Sequence, residues 1–284
     1  MSDRKRASVE LLQQVAKLDA QILSAIEHRA RISRKLRELR ADDAPQLRSD
    51  PGALHELVAR GHGDMPAESL EAIFREIFAA CLALELPVKV VYAGVDGGAA
   101  HEAARARFGK TADLTAVEGT AAALEEVARR RAEFAVVPIE TKREGIVQPT
   151  ILALVATDLK IVSAVESPIR PGEGDASDRV RYAIVGTRPS SRTGEDVTAL
   201  VFHVADTPGA LLDVLRQFAE RGVNLLRIQS QPAEPLQVTS SVSAWTYLFF
   251  VEVAGHTTDR PLVTAFEEVK RLTKFFKVLG SYSV

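Results

Sequence analysis

The chain of 284 residues is poor in sulfur-containing residues and in tryptophan, with one cysteine, two methionines and one tryptophan. The single cysteine, Cys81, cannot form a disulfide within the chain and excludes a cysteine-rich zinc site. The six histidines show no spacing typical of metal ligands, so we expect no metal. No apolar run approaches the roughly 18 residues that a membrane span requires, and the charged N-terminus does not resemble a secretory signal.

An excess of charge is missing as well. Thirty-six Lys and Arg residues stand against 38 Asp and Glu residues, which gives a formal net charge of −2. This balance provides no general attraction to nucleic acid, and we expect neither a nucleic-acid nor a membrane partner. Hydrophobic residues make up 46% of the chain and charged residues 26%, as in an ordinary globular protein. We expect a cytoplasmic protein without a cofactor.

The first third of the chain has a helical pattern. Apolar residues recur at steps of three and four between residues 8 and 40, where no glycine or proline occurs. This spacing predicts one long helix of about 50 Å. A short helix over 53–60 and a third helix after Pro66 follow. Three helices of these lengths leave apolar surface uncovered, so we expect a helical domain over residues 1–86 that forms a homodimer.

Strands and helices alternate after Pro87. The pattern predicts strands over 88–93, 134–138, 160–165 and 180–185, and helices over 99–108, 120–131 and 147–156. Alternation of this kind is typical of a parallel, doubly wound sheet. Residues 167–177 are rich in proline, glycine and acidic residues and are predicted to form a loop. We therefore expect an α/β domain over residues 87–188.

The last third has the order strand, helix, strand, strand, helix, strand. The strands are predicted over 198–204, 223–229, 245–253 and 276–279, and the helices over 208–221 and 261–272. Asp206 and Pro208 are typical of a helix start, and Gly222 of a helix end. This order predicts a ferredoxin-like fold over residues 195–284, with a polar loop inserted at 233–243.

Several short motifs occur in a fixed order along the chain. They are 73–85, Val137-Pro138-Ile139-Glu140, Asp158-Leu159-Lys160-Ile161, Thr207-Pro208-Gly209-Ala210-Leu211 and Lys277-Val278-Leu279-Gly280-Ser281-Tyr282. With these motifs the chain resembles, from end to end, the bacterial P-proteins, which fuse chorismate mutase to prephenate dehydratase and end in an ACT domain. The resemblance implies a mutase-like helical domain, a single α/β lobe of a dehydratase-like domain and a ferredoxin-like ACT domain.

The resemblance implies a mutase pocket in which arginines clamp the two carboxylates of chorismate. The family's first arginine corresponds to Leu12, whereas Arg29 and Arg40 keep the next two cations. The family's Arg-Glu pair corresponds to Ser49-Asp50, and Glu85 fits a hydrogen-bonding position on the third helix. The remaining pocket would consist of Arg29, Arg40, Asp50 and Glu85. Because two guanidinium groups are missing, we expect no useful catalysis; the alternative is a residual chorismate mutase activity.

The dehydratase motifs depart further from the family. Its Gly-Pro-x-Gly-Thr-Phe-Ser loop corresponds to 94–100, which has lost both hydroxyls and the phenylalanine. Its catalytic Thr-Arg-Phe corresponds to Val180-Arg181-Tyr182, and valine has no hydroxyl to donate a proton. The family's second lobe would have to fit into residues 167–177, which are too few for a βα unit. We interpret Glu140, Val180 and Arg181 as vestigial or structural, and expect prephenate dehydratase activity least of all.

The resemblance also implies an amino-acid effector at an ACT interface. Gly209, Ala210 and Leu211 match the family's first effector motif, and Asn224 matches the asparagine of Gly-Ile-Asn-Leu. The second motif, Glu-Ser-Arg-Pro, has become Gln229-Ser230-Gln231-Pro232 and has lost two charges. Ligand sensing and pure dimerisation both remain open. We predict a dimeric pseudoenzyme of phenylalanine metabolism that binds a ligand or a protein partner; a protein-interaction scaffold is a further alternative.

Overall fold

The computed structural model describes residues 2–39, 57–58, 60–61, 63–85, 88–109, 112–168, 179–233 and 246–283. The helices of these ranges are α1 (Ser2–Leu39), α2 (Ala67–Glu85), α3 (Ala99–Phe108), α4 (Gly119–Ala128), α5 (Gln148–Val155), α6 (Ala210–Ala219) and α7 (Arg260–Leu272). The strands are β1 (Lys89–Ala93), β2 (Asp113–Val117), β3 (Phe134–Thr141), β4 (Gly145–Ile146), β5 (Lys160–Pro168), β6 (Arg179–Gly186), β7 (Asp196–His203), β8 (Leu225–Ala233), β9 (Thr246–Ala254) and β10 (Phe275–Ser283).

The long first helix is confirmed, and α2 packs against its second half. Ser33, near the C-terminal end of α1, marks this contact, since it is buried while most of the helix is exposed. The first half of α1 keeps an apolar stripe at helical spacing whose members are each more than half exposed: Leu11, Val15, Leu18 and Ile22. The helix predicted over 53–60 lies largely outside the described residues.

The central segment, which we call the lobe (residues 88–186), contains a mixed sheet rather than the predicted parallel one. Its strand order is β2-β1-β3-β6-β5, with β4 paired to β3. Strand β1 is parallel to β2 and β3, whereas β6 is antiparallel to both β3 and β5. The prediction failed at β6 because β5 and β6 are separated by only 169–178. Parallel neighbours need a crossover of a dozen or more residues, so the shorter link imposes antiparallel pairing.

Strand β2 was not predicted from the sequence. It is a five-residue edge strand that pairs only with β1 among the described strands. Asp113 and Thr115 are exposed, so the strand offers little apolar signal. The alternating exposure along β2 shows that only one face packs on the lobe, as expected for an edge strand.

The C-terminal domain (residues 196–283) has the predicted ferredoxin-like arrangement. Its antiparallel sheet has the order β10-β7-β9-β8. Gly222 follows α6 with a φ of +68°, which suits the predicted helix end. The inserted polar loop predicted over 233–243 lies almost entirely outside the described residues.

The lobe and the C-terminal domain share one apolar core. One face of the C-terminal sheet packs on α6 and α7. Residues of its other face, including Val201 and Phe250, belong to the same buried cluster as Val137, Ile139 and Ile161 of the lobe. The expected boundary between residues 188 and 195 therefore divides the chain but not the core, because each part buries an apolar surface of the other.

A glycine sets the approach between these two parts. Strands β5 and β10 both carry an irregularity where they meet, between Ile161 and Ser163 and between Val278 and Gly280. A Cβ atom on Gly280 would lie against the carbonyl oxygen of Ile161 and 2.7 Å from its amide nitrogen. The two backbones are in contact, so only a residue without a side chain fits at this position.

We therefore expect Gly280→Ala to destabilise the protein strongly. Gly194→Ala is the matched control, because Gly194 also has a positive φ but its Cβ would meet no atom within 4 Å. The control should lower the free energy of unfolding by about 1–3 kcal/mol through backbone strain alone. Gly280→Ala should cost at least about 1–3 kcal/mol more because of overpacking, as measured by urea denaturation. Equal losses in the two variants would contradict the close approach.

Candidate functional site

Of the four expected mutase residues, Arg29 is the one whose side chain the structure describes. Its guanidinium carbon lies 4.5 Å from the centroid of the Phe78 ring, where α1 and α2 pack together. The Nη1 atom of Arg29 is buried and has no hydrogen-bond partner among the described residues. A buried guanidinium N–H without a partner is costly, and an anionic ligand would satisfy it.

The other expected mutase residues are not brought beside Arg29 in the described structure. Arg40 and Asp50 lie outside the described residues, and of Glu85 only the backbone, at the end of α2, is described. Leu12 is 65% exposed on α1. It precedes Arg29 by 17 residues, about 25 Å along a helix. One chain therefore cannot bring the Leu12 position and Arg29 to the same ligand.

The loop over 94–100, expected to be a degenerate dehydratase loop, has internally bonded polar groups. It connects β1 to α3. The Tyr92 hydroxyl donates to the Asp96 carboxylate, and the Gly97 N–H donates to Nδ1 of His101 at 2.6 Å. The rings of Tyr92 and His101 stack with centroids 5.1 Å apart. Burial and the hydrogen bond to Asp96 raise the pKa of Tyr92 to about 12. This arrangement stabilises the turn itself.

Val180 lies in an apolar cluster on one face of the lobe sheet. It is buried together with Tyr182, Val162 and Phe108, a residue of α3. Burial raises the pKa of Tyr182 to about 12, so this hydroxyl stays protonated at neutral pH. Because neighbouring residues of a strand point to opposite faces, Arg181 leaves this cluster. The three residues expected to be vestiges of one dehydratase site therefore do not form one site.

Glu140 and Arg181 instead take part in a ring of charges between the lobe and the C-terminal domain. The Nε of Arg181 lies 3.1 Å from Oε2 of Glu140, and its Nη2 donates to Oε1 of Glu252 at 2.6 Å. Arg227 completes the ring. Its Nη1 contacts Oε2 of Glu140, and its Nε lies 3.4 Å from Oε2 of Glu252. We call Glu140, Arg181, Arg227 and Glu252 the junction ring.

Tyr282 supports the junction ring from β10. Its hydroxyl donates to Oε1 of Glu252 at 2.5 Å, and Arg181 Nη1 lies 3.4 Å from the same hydroxyl. Burial raises the pKa of Tyr282 well above its usual range, and the Glu252 charge raises it further. Burial opposes the charge of Arg181, but Tyr282 and Glu252 outweigh that effect and raise the pKa of Arg181. The ring is thus a buried, internally paired network.

Sequence reasoning missed Arg227, Glu252 and Tyr282 as partners of the two dehydratase-motif residues. A signal was present, since Glu252 stands in the otherwise apolar run Leu248–Val253 and is only 4% exposed. A charge inside an apolar strand predicts a buried countercharge. The pattern does not identify the partner, because Arg181 lies 71 residues away along the chain.

The expected effector residues lie at the two ends of α6. Gly209 adopts a φ of +87° just before this helix, and Ala210 and Leu211 begin it. Asn224 lies exposed after the helix, where its carbonyl accepts the Ala254 N–H at 2.9 Å. Ten helical residues span about 15 Å. Gly209 and Asn224 are therefore not brought together within one chain.

An open groove of about 480 Å³ lies beside Asn224. It is lined by Leu215, Phe218, Ala219, Gly222, Val223, Asn224 and Leu225. Its wall is mainly apolar, and Asn224 is the lining residue with a polar side chain. An apolar groove with one polar group resembles a small-molecule site in composition.

Two further findings concern the described residues alone. In that part of the chain, no group of three or more His, Cys, Asp or Glu side chains is placed to hold a metal ion. None of the described helices combines the length and apolar character needed to cross a membrane.

Three family models match consecutive parts of the chain. Chorismate mutase type II matches residues 11–86, prephenate dehydratase 90–172 and the ACT domain 198–271. Their order is the order of the three parts expected from the sequence. The C-terminal domain is hereafter called the ACT domain.

Relatives with the whole arrangement are bifunctional chorismate mutase/prephenate dehydratases. The protein of Aquifex aeolicus is 27% identical, over 96% of this chain and 97% of its own length. That of Pseudomonas aeruginosa is 25% identical, over 93% and 94%. The Aquifex match extends over 360 positions, 76 more than this chain has residues. That relative therefore contains segments without a counterpart here.

Solved structures similar to this chain include several dehydratases. Prephenate dehydratase from Streptococcus mutans is 27% identical with a TM-score of 0.55, over 69% of this chain and 98% of its own. GqqA, described as a novel type of quorum quenching acylase, is 27% identical with a TM-score of 0.56, over 69% and 94%. Prephenate dehydratase from Arthrobacter aurescens, in complex with L-Phe, is 24% identical with a TM-score of 0.58 over 69% and 90%, and shares the fold. With its mutase, dehydratase and ACT parts in this order, the chain belongs to the P-protein family.

Proposed function

We propose that this chain is a catalytically inactive P-protein that acts as a homodimeric regulatory protein of phenylalanine metabolism and binds an amino acid through its ACT domain. The observation that carries the proposed loss of dehydratase activity is the valine at position 180. A dehydratase needs an acid near the departing group, and this position holds a buried methyl-bearing side chain among apolar neighbours. The loop over 94–100 supports the same conclusion, because its polar groups bond to one another.

The mutase part supports a second candidate function, a residual chorismate mutase activity. Arg29 favours it, because its buried Nη1 has no partner among the described residues. Leu12 opposes it, because an exposed leucine cannot replace a guanidinium that binds a carboxylate. Losing one such contact typically costs a few kcal/mol, or about a hundredfold in rate. We therefore favour ligand binding over catalysis as the function of this chain.

The proposed homodimer is supported at both ends of the chain. The first half of α1 exposes an apolar stripe, which a second copy of the helix would cover. In the ACT domain, Gly209 and Asn224 lie at opposite ends of α6. A twofold axis that crosses α6 near its midpoint would place Gly209 of one chain beside Asn224 of the other.

The proposed ligand is an aromatic amino acid. Gly209 leaves the backbone open at the start of α6, where N–H groups attract a carboxylate. The related Arthrobacter dehydratase was solved with L-Phe. The charged residues of the family's second effector motif are glutamines here, so binding would rest on backbone groups and apolar contacts. A protein partner in place of a ligand is the alternative.

We expect purified protein to accelerate neither the conversion of chorismate to prephenate nor that of prephenate to phenylpyruvate. Products are followed by mass spectrometry against an enzyme-free control. Prephenate formation that disappears in Arg29→Ala would establish the mutase candidate instead. Phenylpyruvate above the control would contradict the assignment of Val180.

Val180→Thr should destabilise the protein without creating dehydratase activity. The new hydroxyl would be buried among apolar side chains, which costs about 1–3 kcal/mol when it finds no partner. Val165→Thr on β5 is the control, because Val165 is only partly buried and its hydroxyl would reach water more easily. Urea denaturation measures both variants. Phenylpyruvate formation by Val180→Thr would show that the remaining site is functional.

L-Phenylalanine should raise the thermal midpoint of the protein. A ligand at about 100 times its Kd stabilises a two-state fold by roughly 2.7 kcal/mol, which corresponds to several degrees. D-Phenylalanine is the control, and Asn224→Ala should reduce the shift. If no aromatic amino acid shifts the midpoint, the ACT domain serves dimerisation or a protein partner.

A further inference from the structure

We propose that the lobe acts as a clamp on β8, the edge strand of the ACT sheet, and that Glu140 and Arg181 are positioning residues of this clamp. The proposal assigns a role to the lobe that needs neither prephenate nor chorismate. It is independent of whether the ACT domain binds an amino acid.

The two faces of β8 have different surroundings. Arg227 and Gln229 face the lobe, since they pair with Glu252 and Phe250 on the face of β9 that packs there. The Gln229 Oε1 accepts the Ile146 N–H of β4 at 3.1 Å. The next residues along the strand, Ile228 and Ser230, are exposed on the other face. One side of β8 is therefore bound to the lobe while the other remains accessible.

A second glycine contact reinforces the clamp. Gly145 of β4 has a φ of +77°, and a Cβ atom at this position would lie 2.8 Å from Nε2 of Gln229. The Gln229 side chain thus lies directly on the β3–β4 turn. The lobe holds β8 at two neighbouring positions, Arg227 and Gln229.

The alternation of charges makes the junction ring sensitive to the loss of any member. Each carboxylate contacts both arginines, so two positive and two negative groups neutralise one another. The ring is largely buried, with side-chain exposures from 4% for Glu252 to 33% for Arg227. Removing one member leaves a countercharge without its partner in a site of low polarity. Replacing Glu140 would weaken the hold on Arg227 across the domain boundary.

The residues that still match the family's dehydratase and C-terminal motifs meet at this boundary. Glu140 and Arg181 belong to the junction ring, Tyr282 supports it, and Gly280 allows β10 to approach β5. The lost hydroxyl position, Val180, faces the other side of the lobe sheet. These matching residues thus share a structural role at the boundary. Catalysis alone would not predict that they lie together there.

An edge strand gains most from such a clamp. Strand β8 pairs with β9 alone among the described strands, so one of its backbone edges has no strand partner there. Edge strands open more readily than central ones, because fewer contacts resist local opening. By tying Arg227 to Glu140 on β3 of the lobe, the junction ring adds a restraint that β9 alone cannot provide.

Hydrogen exchange followed by mass spectrometry tests the clamp in the full-length chain. In Glu140→Gln, peptides covering 225–231 should exchange about tenfold faster or more, while peptides of β7 and β10 keep their rates. Arg227→Gln removes the clamp from the ACT side and should produce the same local change. Glu140→Asp keeps the charge and should restore part of the protection.

Glu126→Gln is the matched control, because Glu126 forms an ion pair with Arg131 on the surface of the same lobe. It should leave exchange in β8 unchanged. Unchanged exchange of β8 in both Glu140→Gln and Arg227→Gln would overturn the proposal. Faster exchange spread evenly over all ACT strands would overturn it as well, because the ring would then stabilise the fold in general and not position β8.

Discussion

The contact between the lobe and the ACT sheet is the constraint on which the rest of the structure depends. A ferredoxin-like sheet has two faces, and here the helices cover only one of them. The other face contributes Val201, Phe250 and Leu279 to a cluster that includes residues of β3, β5 and β6. Without the lobe these side chains would meet water at a cost of about 25 cal/mol per Å² of apolar surface. The lobe therefore has a structural reason to exist even if it catalyses nothing.

The same contact explains why parts of the dehydratase motifs would be kept in a lobe that we propose to be inactive. A strand presents alternate residues to opposite faces, so one motif can serve two purposes. Along β6, Val180 and Tyr182 face α3, whereas Arg181 faces the ACT domain. Losing the hydroxyl at 180 leaves the boundary intact, while losing the guanidinium at 181 would leave Glu252 poorly paired.

Much of the fold could be predicted from the sequence, because α1, α2 and the order of the ACT elements follow from periodicity, caps and glycine positions. Two features could not. Strand β2 is short and half-exposed, and the direction of β6 depends on a connection whose length excludes a crossover. The family resemblance pointed to Glu140 and Arg181, as vestigial or structural residues, but not to their pairing with Arg227 and Glu252. Such pairing joins residues distant in sequence, and no local pattern specifies it.

Buried charges of opposite sign lie side by side in the junction ring but not at Arg29 in the described structure. This difference bears on function. In the junction ring every charge has an opposite charge beside it, although the Nε of Arg181 and the Nη1 of Arg227 contact Glu140 without hydrogen-bond geometry. At Arg29 the buried Nη1 has no partner among the described residues, and stacking on Phe78 does not replace a hydrogen bond. An unsatisfied buried donor is a cost that a structural role does not explain. The Nη2 of Arg107, on α3 of the lobe, is also buried without a partner among the described residues. If the chain binds an anionic metabolite outside the ACT domain, the buried guanidinium groups of Arg29 and Arg107 are the candidates to bind it.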